Sequence, residues 1–261
     1  MKRHWKKIVG AVVLVFVLVL GGSFIYAKFI HKADPAFGQN DVNDKLDAAT
    51  TTVAGAVSDP PASDPPASDP STSDPSSPTT VAVVATPAGA DGLWTIKAGS
   101  EVGYRVNETI NGFGTTANGR TQAITGSMVA AGATITEGSF TVDMTTFKSD
   151  QSRRDAQFNG RVMDVSQFPE AKFVLTAPID FVQVPSDGGT VTASASGDLT
   201  LRGNTKPVTF DVQGTFKNGL VGVLGNIPIV FADYGIPNPT LATVTTEDHG
   251  LLEFVLILER L

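Results

Sequence analysis

The chain has 261 residues, 19 basic and 26 acidic side chains, a net charge of −7 and no cysteine. An acidic chain without a basic stripe is repelled by phosphate backbones, so no nucleic-acid partner is expected. The absence of cysteine excludes disulfides, thiolate metal sites and cysteine nucleophiles. In chain order, Lys2, Arg3, Lys6 and Lys7 precede an uncharged stretch that opens at Ile8, ends at Ala27 and is closed by Lys28. A helix of that length rises about 30 Å, the thickness of a bilayer's hydrocarbon core. The basic cluster places the N-terminus in the cytoplasm and the remainder outside the cell membrane, as a single-pass protein. A cleaved signal peptide fits less well, because Ile25 stands where a cleavage site needs a small residue.

Residues 33 to 91 carry little apolar content and read as a disordered linker. Their centre repeats Ser58-Asp59-Pro60-Pro61-Ala62 as Ser63-Asp64-Pro65-Pro66-Ala67, with looser copies from Ser68 and Ser73. Proline favours extended polyproline II geometry, so residues 58 to 78 would act as a spacer reaching about 65 Å. A glycosylated or partner-bound Ser/Thr/Pro tract is the alternative.

From residue 92 to 261 the apolar residues alternate. Val102, Tyr104 and Val106 alternate with Gly103, Arg105 and Asn107, and Phe140, Val142 and Met144 alternate with Thr141 and Asp143. Phe173, Leu175, Ala177, Ile179 and Phe181 form the longest run, and Val208, Phe210, Val212 and Phe216 form another. Side chains of period two give each strand one wet and one buried face, which favours an antiparallel sheet. Turn pairs separate the runs at Asn111-Gly112, Asn118-Gly119, Asp187-Gly188-Gly189, Arg202-Gly203-Asn204 and Asn218-Gly219. About eight strands result. One short helix is predicted over residues 151 to 159, with Asp150 as its N-cap and Gly160 just after its end. A single helix excludes a βαβ architecture and leaves an all-β barrel or sandwich. Val191, Ala193, Ala195 and Gly197 give one strand a small inward face, which favours a hollow barrel.

These residues resemble the YceI-like family of polyisoprenoid-binding, lipocalin-like barrels. The likeness is carried by Ser100-Glu101-Val102-Gly103-Tyr104-Arg105-Val106 and by Gly138-Ser139-Phe140-Thr141-Val142-Asp143. It continues through Arg154-Asp155, then Asp164, Phe168-Pro169 and Phe173. Its strongest element is the hairpin Gly197-Asp198-Leu199-Thr200-Leu201-Arg202-Gly203-Asn204-Thr205-Lys206-Pro207-Val208, and Asp233-Tyr234-Gly235-Ile236 follows near the end. The resemblance implies an eight-stranded antiparallel barrel over residues 92 to 261 whose apolar cavity encloses an isoprenoid, for example a quinone, or another lipid tail. The loop of residues 111 to 120 departs from the family pattern, as do the anchor and linker, which leaves the ligand's identity open.

Candidate cavity residues are Tyr104, Phe140, Val142, Met144 and Phe147 in the first half of the domain. Phe158, Met163, Phe168, Phe173 and Leu175 follow, then Ala193, Ala195, Phe210, Val212, Phe231 and Tyr234. Arg154 and Asp155 are candidates for a ligand head group, against a plain solvated helix face. His249, beside Glu247 and Asp248, is the one histidine of the domain, and zinc usually takes three or four ligands. No G-x-S-x-G elbow is present, and the glycine pairs lack the strand-to-helix context of a phosphate loop. The expectation is therefore a binding protein without catalysis, metal or required cofactor. A filled barrel serving as an interaction or envelope-structural module is the alternative, and the oligomeric state stays open.

Overall fold

The computed structural model describes residues 33 to 54, 90 to 240 and 243 to 261. The expected membrane segment and the Pro-rich repeat lie outside these residues. Among the described residues, no helix is long and apolar enough to cross a membrane.

The alternating runs build β1 (Gly92–Ile96), β2 (Glu101–Ile110), β3 (Phe113–Thr121), β4 (Ile124–Ala131), β5 (Thr134–Asp143) and β6 (Glu170–Leu175). After the two-residue β7 (Ile179–Asp180) come β8 (Thr190–Leu201), β9 (Asn204–Lys217), β10 (Leu220–Val230), β11 (Val244–Thr246) and β12 (His249–Arg260). Every pairing is antiparallel. β12 pairs through its second half with β1, Trp94 opposite Arg260, and through its first half with β2, Arg105 opposite Leu251. β1 and β2 are thus one wall strand broken at residues 97 to 100, and β3 with β4 form the facing one. With β5, β6, β8, β9, β10 and β12 these make a closed eight-walled barrel among the described residues. Closure removes the exposed edges of the sheet.

Three of the predicted turns are two-residue hairpin loops: Asn111-Gly112, Arg202-Gly203 and Asn218-Gly219 all have positive φ at both positions, as a type I′ turn requires. Asn118-Gly119 is not a turn. It lies inside β3, where a Cβ on Gly119 would stand 2.6 Å from the Tyr104 ring. The glycine is there so that the tyrosine can lie across the strand. The predicted helix runs past its expected end, with α2 covering Ser152–Gln157 and a π-helical turn following at Phe158–Val162, so Gly160 lies inside the helical segment. Its N-cap is Gln151 rather than Asp150, whose carboxylate instead pairs with Arg154 one turn on.

The largest departure concerns the linker. Residues 39 to 54 form a helix, α1 (Gln39–Ala54), which lies on the outside of the barrel. Its only large apolar side chains before residue 51 are Val42 and Leu46, which form with Ala49 a stripe at helical spacing. That stripe is too sparse to fold alone, but β10 and β12 supply its other half. Val42, Leu46 and Ala49 are buried with Leu220, Val255 and Ile257 in a second core outside the barrel. A Cβ at Gly222 would sit 2.5 Å from Val42, so the wall is shaved to receive the helix.

Polar contacts fix the strap along its length. The Asp34 N–H donates to Asn118 Oδ1, and Asn118 Nδ2 donates back to the Asp34 carboxylate, both at 3.2 Å. Arg105 donates to the Asp34 carbonyl at 2.8 Å, Arg120 donates to that of Pro35, and the Arg120 guanidinium lies 4.0 Å over the Phe37 ring. Beneath them Glu253, 3% exposed, accepts from Arg105 at 3.1 Å and pairs with Arg120 at 3.3 Å. Further along, Lys45 pairs with Glu101 at 2.9 Å and Lys217 with Asp47 at 2.7 Å.

Because Leu46 is fully buried, Leu46→Ala is expected to cost about 2–4 kcal/mol in urea denaturation, whereas Asp44→Ala on the exposed side of α1 stays within about 0.5 kcal/mol. Equal midpoints for the two variants would remove the strap from the cooperative unit.

Candidate functional site

The barrel interior is apolar but not solid. An upper chamber of about 400 Å³ lies beside α2, and a middle chamber of about 130 Å³ continues it along the barrel. The two share Val102, Val142, Ala171 and Leu252, which form a waist between them. A third space of about 50 Å³ lies toward the β4–β5 turn and shares Phe181 and Val221 with the middle chamber. Alternation explains the arrangement: β12 turns Leu252, Phe254, Leu256 and Leu258 inward, and every other strand contributes its own inward set.

Of the residues expected to line a cavity, Phe140, Val142, Phe173, Leu175, Ala195, Phe210 and Val212 line the middle chamber. Phe210 stands edge-on to Phe173 and Phe254, at 5.6 and 6.0 Å between ring centres. Tyr104, Met144, Phe147, Phe158, Met163 and Phe231 line the upper chamber, together with Val142. Four of the expected residues lie elsewhere. Ala193 lines neither of these chambers, because its strand reaches the interior with Ala195 and Leu199. Phe168 packs against Gly203, with Arg202 over its ring. Tyr234 is buried in the core without facing the upper or middle chamber. Asp155 turns back to accept from the Ser149 N–H and hydroxyl at 2.8 and 2.7 Å, which ties down the start of the helical segment. The small face of β8 is also partly filled, since the Phe173 ring covers Gly197.

The upper chamber alone has a polar rim. Arg154 lines it, paired with Asp150 and, at 3.5 Å, with Glu108. Arg153, Gln151 and Gln157 complete the α2 side. Below the rim Tyr104 stacks on Phe158, with ring centres 4.7 Å apart and planes 10° from parallel, and Phe147 closes the cluster at 5.0 Å from Phe158. Burial pushes the Tyr104 hydroxyl well above the ordinary tyrosine range. The Arg154 charge opposes the shift, and Asp155, Asp150 and Glu108 reinforce it. Tyr104 therefore enters the chamber as a neutral hydrogen-bonding group.

Sequence reasoning missed Glu108, Arg153 and the two glutamines of the rim, and it missed Val102, Leu252 and Phe254 at the waist and wall. The last two were readable from the alternation inside the apolar run of β12. The rim residues carry no periodic signal, because they meet only through the fold. His249 is exposed and bonded to Asp248 at 2.8 Å. Among the described residues no cluster of three or more metal-ligating side chains occurs.

The model of the YceI-like domain matches residues 94–257. The chain belongs to the YceI-like family. Among curated proteins, this YceI-like chain is 35% identical over 105 residues to a UPF0312 protein of Pseudomonas savastanoi pv. phaseolicola, covering 37% of this chain and 51% of that one. It is 33% identical over 108 residues to a UPF0312 protein of Pseudomonas putida, covering 38% and 52%. The chain thus spans about half the length of the curated relatives it matches. In structure it is similar to BcnA of Burkholderia cenocepacia, with a TM-score of 0.50, 20% identity and coverage of 62% of this chain and 98% of that one. A polyisoprenoid binding domain from Saccharophagus degradans, implicated in plant cell wall breakdown, gives 0.53 at 15% identity, covering 64% and 98%. At these identities the two solved structures speak for the fold alone.

The raised Tyr104 proton has a consequence for stability. The unfolded chain releases it near pH 10 and the folded chain holds it beyond, so above about pH 10 the folded state binds more protons and stability falls as pH rises. Burial likewise pushes Tyr234 up to about 12, so Tyr104→Phe should flatten part of the alkaline loss. Urea midpoints between about pH 9 and pH 11 measure it, and identical slopes for variant and parent would contradict the burial of Tyr104.

Proposed function

We propose that this YceI-like barrel is a membrane-anchored, extracytoplasmic binding protein that holds an isoprenoid or other lipid and performs no chemistry on it. The observation that carries the reading is the pair of adjoining apolar chambers, the upper one rimmed by Arg153 and Arg154. The upper chamber has the size of a small-molecule site, and apolar cavities as small as the middle one stay dry and accept a benzene-sized group. A tail threaded past the waist gains roughly 25 cal/mol for each Å² of apolar surface buried. A head group left in the upper chamber meets Tyr104, Arg153 and Arg154, donors suited to a quinone carbonyl or a lipid phosphate. The similarity to the polyisoprenoid binding domain from Saccharophagus degradans supports the isoprenoid choice. The anchor rests on the uncharged stretch of residues 8 to 27 between basic residues.

Organic extraction of the purified full chain, followed by mass spectrometry, is expected to release an apolar lipid. Ala195, 1% exposed, sits on the middle chamber wall. Ala195→Trp should therefore lower the retained lipid roughly tenfold, a loss of about 1.4 kcal/mol of binding, while Ser194→Trp on the outer face leaves it unchanged. An empty extract from the parent, or equal loading of both variants, would sink the proposal.

A further inference from the structure

The strap changes where the barrel can sit. If residues 33 to 91 were a free linker, the repeat would hold the domain far from the bilayer. Instead the chain is fixed to the barrel wall from Asp34 onward, through Asn118, Arg105 and Arg120, and then through α1. Only seven peptide steps separate Ala27, the end of the uncharged stretch, from Asp34. Fully extended, they span at most roughly 25 Å. The barrel is taller than that leash, since the 14 residues of β9 extend about 46 Å along the strand and about 35 Å along the axis at the usual strand tilt. The Pro-rich repeat, in turn, leaves from the end of α1 and rejoins the same barrel at β1. A segment with both ends on one body cannot set that body's height.

We infer that the strap holds the wall formed by β2, β3 and β12 against the outer surface of the bilayer, with the lipid headgroup layer as its partner, and that the Pro/Ser/Asp repeat is not a spacer. The inference rests on the membrane anchor proposed above. The leash itself suits that contact: Lys28 and Lys32 would fall beside the headgroups, where anionic lipid attracts cations, while the barrel domain behind them is acidic. Lipid exchange would then occur by direct transfer from the adjacent leaflet.

Since the chain has no cysteine, Ser194→Cys on the exposed face of β8 gives a single dye site on the wall away from the strap. The labelled full chain is reconstituted in vesicles of phosphatidylethanolamine and phosphatidylglycerol carrying acceptor lipids, and energy transfer to the bilayer is read. Deleting residues 58 to 78 should leave the transfer unchanged. Inserting about twenty Gly/Ser residues between His31 and Lys32 should lower it at least about twofold, because such a coil averages about 25 Å. Transfer that rises on the deletion and ignores the insertion overturns the inference while leaving the anchor intact. Release of the parent chain from the vesicles by an alkaline carbonate wash removes the anchor, and the inference with it.

Discussion

β12 is buried on both of its faces, and most of the molecule is arranged around that constraint. Inward, Leu252, Phe254 and Leu256 form wall and waist of the cavity, and Leu258 packs into the core. Outward, Val255 and Ile257 would be bare in a simple barrel, because an antiparallel wall strand normally turns its second face to water. α1 covers them, and Glu253 is covered by the strap that leads into α1. The same strand closes the ring by pairing with β1 and β2 on one side and β10 on the other. Closure, cavity and strap therefore depend on one twelve-residue strand.

That dependence accounts for what was legible in the sequence. Strands such as β2 and β9 declare themselves by strict alternation, and the Asn111-Gly112, Arg202-Gly203 and Asn218-Gly219 hairpins by the positive φ their turns demand. The antiparallel sheet followed from these, whereas the closed eight-stranded barrel was what the YceI-like resemblance implied. α1 was not legible as a helix of its own, because Val42, Leu46 and Ala49 are a weak stripe among polar residues, and tertiary packing supplies what propensity lacks. Its partner was visible, though: the unbroken apolar run Phe254-Val255-Leu256-Ile257-Leu258 is what a strand covered on both sides looks like. Asn118-Gly119 misled for the opposite reason. The pair has turn chemistry, but a ring from the neighbouring strand needed the glycine's empty space. Ala193 and Ala195 show a finer limit, since two alternate small residues on one strand differ in whether they reach the chamber.

The site separates two tasks along one axis. The middle chamber would offer a ligand almost nothing but dispersion and the release of water, so under the proposed function it would take any tail of suitable thickness. Discrimination has to come from the upper chamber, where Arg153, Arg154, Tyr104 and the rim glutamines stand at the boundary with solvent. Arg154 is already held by Asp150 and Glu108. A head group that recruits it must compete with those carboxylates, and the competition favours anionic or strongly hydrogen-bonding groups over a plain alkyl end.

The strap's polar contacts serve register more than energy. Burying Glu253 with Arg105 and Arg120 removes three charges from water, and the attraction regained roughly offsets that loss. The adhesion comes from the apolar stripe of α1, which by itself would tolerate sliding along the wall. The reciprocal Asp34–Asn118 bonds and the two arginines that grip the carbonyls of Asp34 and Pro35 admit one position only. All three ions belong to the barrel wall, so a slip of the strap would leave their pairing intact, but it would strip Arg105 and Arg120 of the Asp34 and Pro35 carbonyls. Hydrophobic contact thus supplies the attachment and the buried ions its uniqueness, and a segment that looks like a linker in the sequence becomes part of the barrel wall.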